Sequence, residues 1–276
     1  MKTFLVPTDF SENATNALNY AVSLASQVNG KIIIVHVVNF IVIPVRSGKL
    51  VSLTEDTDLQ YYEALNEFAA VIRKKNIACE VAVIDQYAYG SFQESLNQFI
   101  PDQQVDLVIM GTKGATNFLN KVVGTNTSEF IKVAVCPVLI IPGGAQYSNI
   151  KHLAYATDFN RDNTIFLQQL FKFTQSFPSQ VYILDAKPDT HLNKEVWDQS
   201  LPFNANEFPK ANYTLVQLNE ADVITNIQAF VHINQIDLLA IPVPNQGFFE
   251  DIFKSSISKE LVYQPTLPLL ALPENI

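Results

Sequence analysis

The sequence predicts an α/β protein made of two tandem domains, each a five-stranded, mostly parallel sheet with helices on both faces. Three observations carry this expectation. Short runs rich in Val and Ile alternate with amphipathic segments, the pattern of a parallel sheet covered on both sides. The opening Lys2-Thr-Phe-Leu-Val-Pro-Thr8-Asp9-Phe10 returns as Lys151-His-Leu-Ala-Tyr-Ala-Thr157-Asp158-Phe159, a shift of 149 residues, so one unit is present twice. Eight of the nine glycines lie before residue 150, so a site that depends on glycine is expected once, in the first copy.

In the first copy, strands are expected over residues 2–7, 31–38, 79–84, 105–110 and 137–141, each apolar on both faces as buried parallel strands require. The first helix starts after Ser11, a suitable N-cap. It places Ala14, Ala17, Leu18, Ala21, Leu24, Ala25 and Val28 on one face, and Gly30 is expected to end it. The matching stripe in the second copy is Phe166, Leu167, Leu170, Phe173 and Phe177, whose bulk predicts a differently packed helix. Further on, Val105-Asp-Leu-Val-Ile-Met110 matches Ile236-Asp-Leu-Leu-Ala-Ile241, and Cys136-Pro-Val-Leu-Ile-Ile-Pro142 matches Leu267-Pro-Leu-Leu-Ala-Leu-Pro273, both at a shift of 131. Most of the shortening falls between the second and third strands, where residues 39–78 are answered by the proline-broken 188–212. Turn chemistry at Gly143-Gly144 and Ser148-Asn149 marks the boundary and divides the chain into 1–146 and 147–276.

The 276 residues, 48% apolar and 16% charged, can bury a large core. A net charge of -9 leaves no basic footprint for nucleic acid, and Arg73-Lys74-Lys75 reads as a solvated helix face. No apolar run approaches the length of a membrane span, and residues 1–7 lack the apolar stretch of a secretion signal, so a cytoplasmic location is expected. Cys79 and Cys136 have no metal-ligand spacing and read as buried thiols. His36 ends a buried strand and reads as a core histidine; His152, His191 and His232 share no spacing.

The most informative run is Gly111-Thr-Lys113-Gly114, nine residues, then Gly124-Thr125, directly after the apolar Val105-Asp-Leu-Val-Ile-Met110. A buried strand that opens into glycines and a helix start lets backbone N–H groups approach a phosphate. The spacing therefore suggests a nucleotide. Blander roles stand beside this one: Asp9 as a cap of the first helix, Gly114 and Gly124 as turn residues, and Lys113 as a solvated loop lysine. Walker-type, dinucleotide-turn and nucleophile-elbow patterns are absent from the sequence.

Taken with Pro7-Thr8-Asp9-Phe10-Ser11, His36-Val37 and Cys136-Pro-Val-Leu-Ile-Ile, this run resembles the universal stress protein family in a tandem form, clear in the first copy and decayed in the second. The resemblance implies two Rossmann-like domains of the adenine nucleotide alpha hydrolase-like kind. It also implies a cytoplasmic stress-response or signalling module that binds ATP or AMP, with or without Mg. In the family's nucleotide-binding branch, Asp9, following Pro7 and Thr8 at the strand end, would accept a hydrogen bond from the adenine or ribose edge. Val37 and Met110 would wall the base. Gly111 and Gly114 would bring backbone near the ribose and phosphates, Gly124 would turn the chain, and Thr125, Asn126 and Thr127 would offer donors at a helix start, with Lys113 adding charge.

The second copy departs from this pattern. Pro242, Asn245, Ser255 and Ser256 stand where Gly111, Gly114, Gly124 and Thr125 stand in the first, while Asp185 and Ala186 replace His36 and Val37. Asp158 is retained, but the expectation is a built-in partner domain without ATP. No catalytic residue is assigned, because Asp9 sits at the wrong end of the nucleotide to activate water and no second carboxylate is placed to hold magnesium. Slow hydrolysis is the most these residues suggest. A nucleotide-free interaction scaffold and a weak ATPase or phosphotransferase stay open. The family's last strand commonly pairs across a two-fold axis, so 138–141 and 269–272 are expected to pair within one chain as a pseudo-dimer, with a homodimer of chains also open. Gly247-Phe248-Phe249 and residues 197–208 read as buried aromatics or a surface contact.

Overall fold

The computed structural model describes residues 1–38, 54–112, 125–157, 163–185, 212–218, 223–244 and 266–274. Half one runs β1 (Thr3–Pro7), α1 (Glu12–Val28), β2 (Lys31–Val38), α2 (Thr54–Arg73), β3 (Ala78–Asp85), α3 (Phe92–Asp102), β4 (Leu107–Gly111), α4 (Thr125–Val133) and β5 (Val138–Ile141). Half two runs β6 (His152–Thr157), α5 (Thr164–Thr174), β7 (Gln180–Asp185), β8 (Asn212–Gln217), α6 (Val223–Ile233), β9 (Leu238–Val243) and β10 (Leu269–Pro273). All ten strands form one sheet in the order β3-β2-β1-β4-β5-β10-β9-β6-β7-β8. Each half has the same internal order with parallel neighbours. The halves join where β10 pairs antiparallel with β5, Leu270 opposite Leu139, so each closing strand covers the other's edge.

The repeat extends to individual hydrogen bonds at the amino ends of the strands. Lys31 N donates to Lys2 O at 2.8 Å, and Gln180 N to Lys151 O at 2.7 Å. Asp106 N donates to Thr3 O at 2.9 Å, and Asp237 N to His152 O at 2.8 Å. The two carboxylates close the same loop: Asp106 Oδ2 accepts from Thr3 N at 2.9 Å and Asp237 Oδ2 from His152 N at 3.0 Å. One strand start in each half is thus clamped by an aspartate, which satisfies a backbone donor that the ladder leaves over.

The sheet separates two core layers. One gathers α1, α2 and α5 through residues such as Leu24, Leu65 and Phe166. The other gathers α3, α4 and α6 through Leu96, Phe130 and Ile227. The α1 stripe is buried as expected, Val28 only partly, and Ser11 Oγ caps the helix by accepting from Ala14 N. The helix does not end on Gly30. Asn29 takes the left-handed conformation (φ 53°) as C-cap, a role asparagine tolerates. Gly30 is needed for packing instead, since a Cβ there would lie 2.9 Å from the Phe4 ring and 3.3 Å from Lys2 O. In α5, Phe166, Leu167 and Leu170 are buried, while Phe177 lies beyond the helix end and Phe173 is only partly buried. β4 begins at Leu107, not at Val105, because Asp106 is spent on the clamp. Arg73, Lys74 and Lys75 are exposed at the end of α2.

Candidate functional site

The carboxyl ends of β1, β2 and β4 meet at one edge of half one. β1 and β2 stay in register from Thr3 opposite Lys31 to Pro7 opposite Val35, and Thr8 N extends the ladder by donating to Val35 O at 2.9 Å. Leu5 is level with Val108, so equal strand rise brings Met110 level with Pro7. Val37 and Met110 share the core layer under α3 and α4. Pro7 and Thr8 are buried, Val37 is half-buried and Asp9 is exposed.

The turn that presents Asp9 is locked by its own side chains. Thr8 Oγ1 accepts from Phe10 N at 3.0 Å, and Asp9 Oδ1 accepts from Ser11 N at 3.0 Å, the short-range bonds by which Asp and Thr hold turns. Between them Phe10 takes φ 63°, a left-handed conformation that most side chains avoid. Packing holds it there: the Phe10 ring centroid lies 5.0 Å from His36 and 6.1 Å from Tyr61. His36 Nδ1 lies 2.7 Å from Thr8 O, so an Nδ1–H donates to that carbonyl and braces the strand end. Sequence reasoning missed this aromatic brace. Its one legible part was Phe10 within the opening motif, because Tyr61 comes from the segment that half one has in excess.

The first helix is capped by Ser11, which leaves Asp9 as an outward carboxylate. Partial burial raises its pKa, but hydrogen bonding from Ser11 and local amides, with the charge of His36, outweighs this and holds it below the usual carboxylate value. An ionised carboxylate only accepts hydrogen bonds. It therefore suits a sugar hydroxyl or a base amine and repels phosphate.

Donors come from the other side of the same edge. α4 starts at Thr125, and the buried Thr127 donates from Oγ1 to Gly111 O at 3.3 Å, tying the first turn of α4 to the end of β4. The amides of that turn carry the positive end of the helix dipole, and Asn126 is exposed beside them. Lys113, Gly114 and Gly124 lie outside the described residues, as does the side chain of Thr125.

Gly111 has a structural reason of its own. A Cβ there would lie 2.4 Å from Asn13 O and 2.8 Å from Asn13 C, inside the backbone of α1. It would point toward the α1 layer, because side chains alternate along β4 and Met110 faces the other layer. The glycine thus lets α1 sit close on the sheet.

The matched edge of half two is built differently. Tyr155 and Thr157 both donate to Asn163 Oδ1 at 2.8 Å, and all three are buried, as is Asp185 at the end of β7. Asn163 precedes α5 but makes no side-chain cap bond, since its carbonyl is engaged by the strand end. Pro242 sits within β9. Leu239 N donates to Pro268 O, and Val243 O accepts from Glu274 N, so odd-numbered residues face β10. The missing N–H of Pro242 falls on the β6 side, where pairing stops at Tyr155 opposite Ala240. Asp158, Ala186, Asn245, Ser255, Ser256, Gly247-Phe248-Phe249 and residues 197–208 lie outside the described residues.

Among the described residues, no group of three or more His, Cys, Asp or Glu is placed to hold a metal ion. No helix among them is long and apolar enough to cross a membrane. Cys79 and Cys136 are buried free thiols, raised by burial to about 11 and about 12.

The sequence model of the universal stress protein family matches residues 1–142. The chain belongs to the universal stress protein family. Two universal stress proteins of Methanocaldococcus jannaschii are similar to it. MJ0577 is 29% identical over 153 residues, covering 51% of this chain and 94% of its own length. MJ0531 is 24% identical over 143 residues, covering 51% and 81%. Over the whole chain, the crystal structure of a universal stress protein from Archaeoglobus fulgidus aligns with a TM-score of 0.69 at 17% identity, covering 98% of both chains. The functionally unknown PA1789 from Pseudomonas aeruginosa aligns at 0.62 and 12% identity, covering 100% of this chain and 93% of its own. These likenesses bear on the fold. This universal stress protein therefore matches curated relatives over about half of its chain and shares its fold with solved structures over nearly all of it.

Proposed function

We propose that residues 1–146 of this universal stress protein bind one adenine nucleotide, ATP or AMP, and that residues 147–276 are a built-in partner domain without a nucleotide of their own. The observation that carries the reading is the pairing of opposite chemistries on one strand-end edge: the exposed, ionised Asp9 and the dipole-positive start of α4, tied to β4 through Thr127 and Gly111. Asp9 takes the ribose or adenine edge. Val37 and Met110 take the base. Gly111, Lys113, Gly114, Gly124, Thr125, Asn126 and Thr127 take the phosphate end. Magnesium, when it accompanies ATP, arrives with the phosphates, since Asp9 is turned to the other end of the ligand.

The module acts in the cytoplasm in a stress or signalling response by binding, not by efficient catalysis. Its ligand shifts a conformational or partner equilibrium by preferring one state. The β5–β10 seam makes one chain a pseudo-dimer, and pairing of whole chains adds to that. A nucleotide-free scaffold is the second reading, favoured by the fact that Gly111 is required by α1 whether or not a ligand is present. Weak hydrolysis is the third, tested by phosphate release above background.

Protein purified without added nucleotide is heat-denatured, and the supernatant is resolved by ion exchange and mass spectrometry. Retention through purification requires a dissociation constant below about 1 μM. Adenine nucleotide near one equivalent per chain supports the proposal. Two equivalents contradict the single site, and none favours the scaffold.

A further inference from the structure

We propose that α2 sets the nucleotide affinity of half one, with Phe10, His36 and Tyr61 acting as positioning residues for Asp9. The inference rests on the nucleotide reading above and adds a control on that site. Among the described residues, five other than glycine have a positive φ, and four of them, Asn29, Asn76, Gln104 and Gln235, lie just beyond the ends of α1, α2, α3 and α6. Helices commonly stop in that conformation. Phe10 instead lies ahead of α1, directly after Asp9, and carries a large ring. A left-handed conformation at a bulky residue persists only where surrounding contacts enforce it.

The enforcing contacts come from β2 and α2. The Phe10 ring stacks on Tyr61 at 6.1 Å and Phe68 at 6.3 Å and tilts against His36 at 5.0 Å, while His36 and Tyr61 are themselves 4.3 Å apart. His36 Nδ1 also holds Thr8 O. Asp9 is therefore flanked by two gripped neighbours, Thr8 through its carbonyl and Phe10 through its ring. Phe10 and Phe68 pack in the layer of α1 and α2, whereas Val37 and Met110 lie in the opposite layer. The ring cluster thus stands on the other side of the sheet from the proposed base wall, and it acts on a ligand through the direction of the Asp9 carboxylate.

The rest of α2 is anchored without Phe10. Leu65, Ala69 and Ile72 are buried, and Arg73 Nε donates to Cys79 O at 2.9 Å. Tyr61 lies about three turns from Ile72, so its ring can be removed without undoing the helix. Linkage makes the coupling reciprocal: a ligand that prefers Asp9 in this direction also steadies Phe10 against Tyr61.

Calorimetric titration of the full chain with ATP tests the proposal. Tyr61→Ala is expected to weaken binding about tenfold, Tyr61→Leu less, and Tyr61→Phe, which keeps the ring, to leave it unchanged. Ile72→Ala, which loosens α2 away from Phe10, is expected to lower the melting temperature without changing affinity. In an Asp9→Ala background, Tyr61→Ala is expected to add no further loss, the mark of a residue that acts through Asp9. Circular dichroism melts check that each variant folds. Unchanged affinity in folded Tyr61→Ala and Tyr61→Leu overturns the proposal. So does an equal loss in Ile72→Ala, or a full further loss beside Asp9→Ala. Absence of ATP binding by the unaltered chain overturns the nucleotide reading itself, and this inference with it.

Discussion

The two halves of this chain are alike at the amino ends of their strands and unlike at the carboxyl ends. At the amino ends, Asp106 and Asp237 clamp Thr3 and His152 in the same way, and the flanking backbone bonds repeat. At the carboxyl ends, half one offers the outward Asp9 and the start of α4, whereas half two ties Tyr155 and Thr157 to Asn163 and buries Asp185 where half one has the half-buried His36. The sheet therefore rests on one set of residues and the candidate site on another. Open α/β sheets bind ligands at the carboxyl ends of their strands, so a duplicated domain can change one such edge and keep its scaffold. We place the proposed nucleotide in half one alone.

The largest expected effect is at Gly111. Gly111→Val drives a side chain into the α1 backbone at Asn13 and is expected to cost about 3 kcal/mol or more in urea unfolding. The matched strand position in half two already carries Pro242. A loss below about 1 kcal/mol would break the packing explanation. Next, Asp9→Ala is expected to weaken ATP binding about thirtyfold, near 2 kcal/mol, by calorimetry, while Asp158→Ala leaves it unchanged. Equal losses would mean two working sites.

In half two, Asn163→Ala removes the acceptor shared by Tyr155 and Thr157 and is expected to cost about 1–3 kcal/mol of stability without changing ATP affinity. A change in affinity would put the ligand in half two. Ser11→Ala removes the α1 cap and is expected to cost about 1 kcal/mol. The smallest effect is in acid. The pKa of Asp9 is lower folded than unfolded, so its contribution is present above the unfolded carboxylate value of about 3.9 and is lost as pH falls through the folded value. Asp9→Asn should therefore flatten stability below about pH 4 and leave it flat above. A stability difference from the wild type that fails to close as pH falls below about 4 would contradict the assigned shift.

Much of the scaffold was legible because apolar periodicity and repetition fix it. The 149-residue and 131-residue shifts reproduce the observed registers, the Ser11 cap follows from local chemistry, and the β5–β10 pairing is expected from the resemblance to the family. What escaped the sequence depends on contacts between distant segments. Asn29, not Gly30, turns the chain after α1, because Gly30 answers to Phe4. Gly111 answers to Asn13, and Asn163 leaves its capping role for Tyr155 and Thr157. A glycine states that a side chain is excluded without saying by what. The resemblance to the family assigns Asp9, Val37 and Met110 to one edge; the structure places Val37 and Met110 in one core layer, with Met110 level with the Pro7 strand end that precedes Asp9.

Equilibrium dialysis of the intact chain against ATP counts the sites. Saturation is expected at one nucleotide per chain, with that binding lost in Asp9→Ala and kept in Asp158→Ala. Saturation at two per chain, or binding that survives Asp9→Ala and disappears in Asp158→Ala, would contradict the single site in half one.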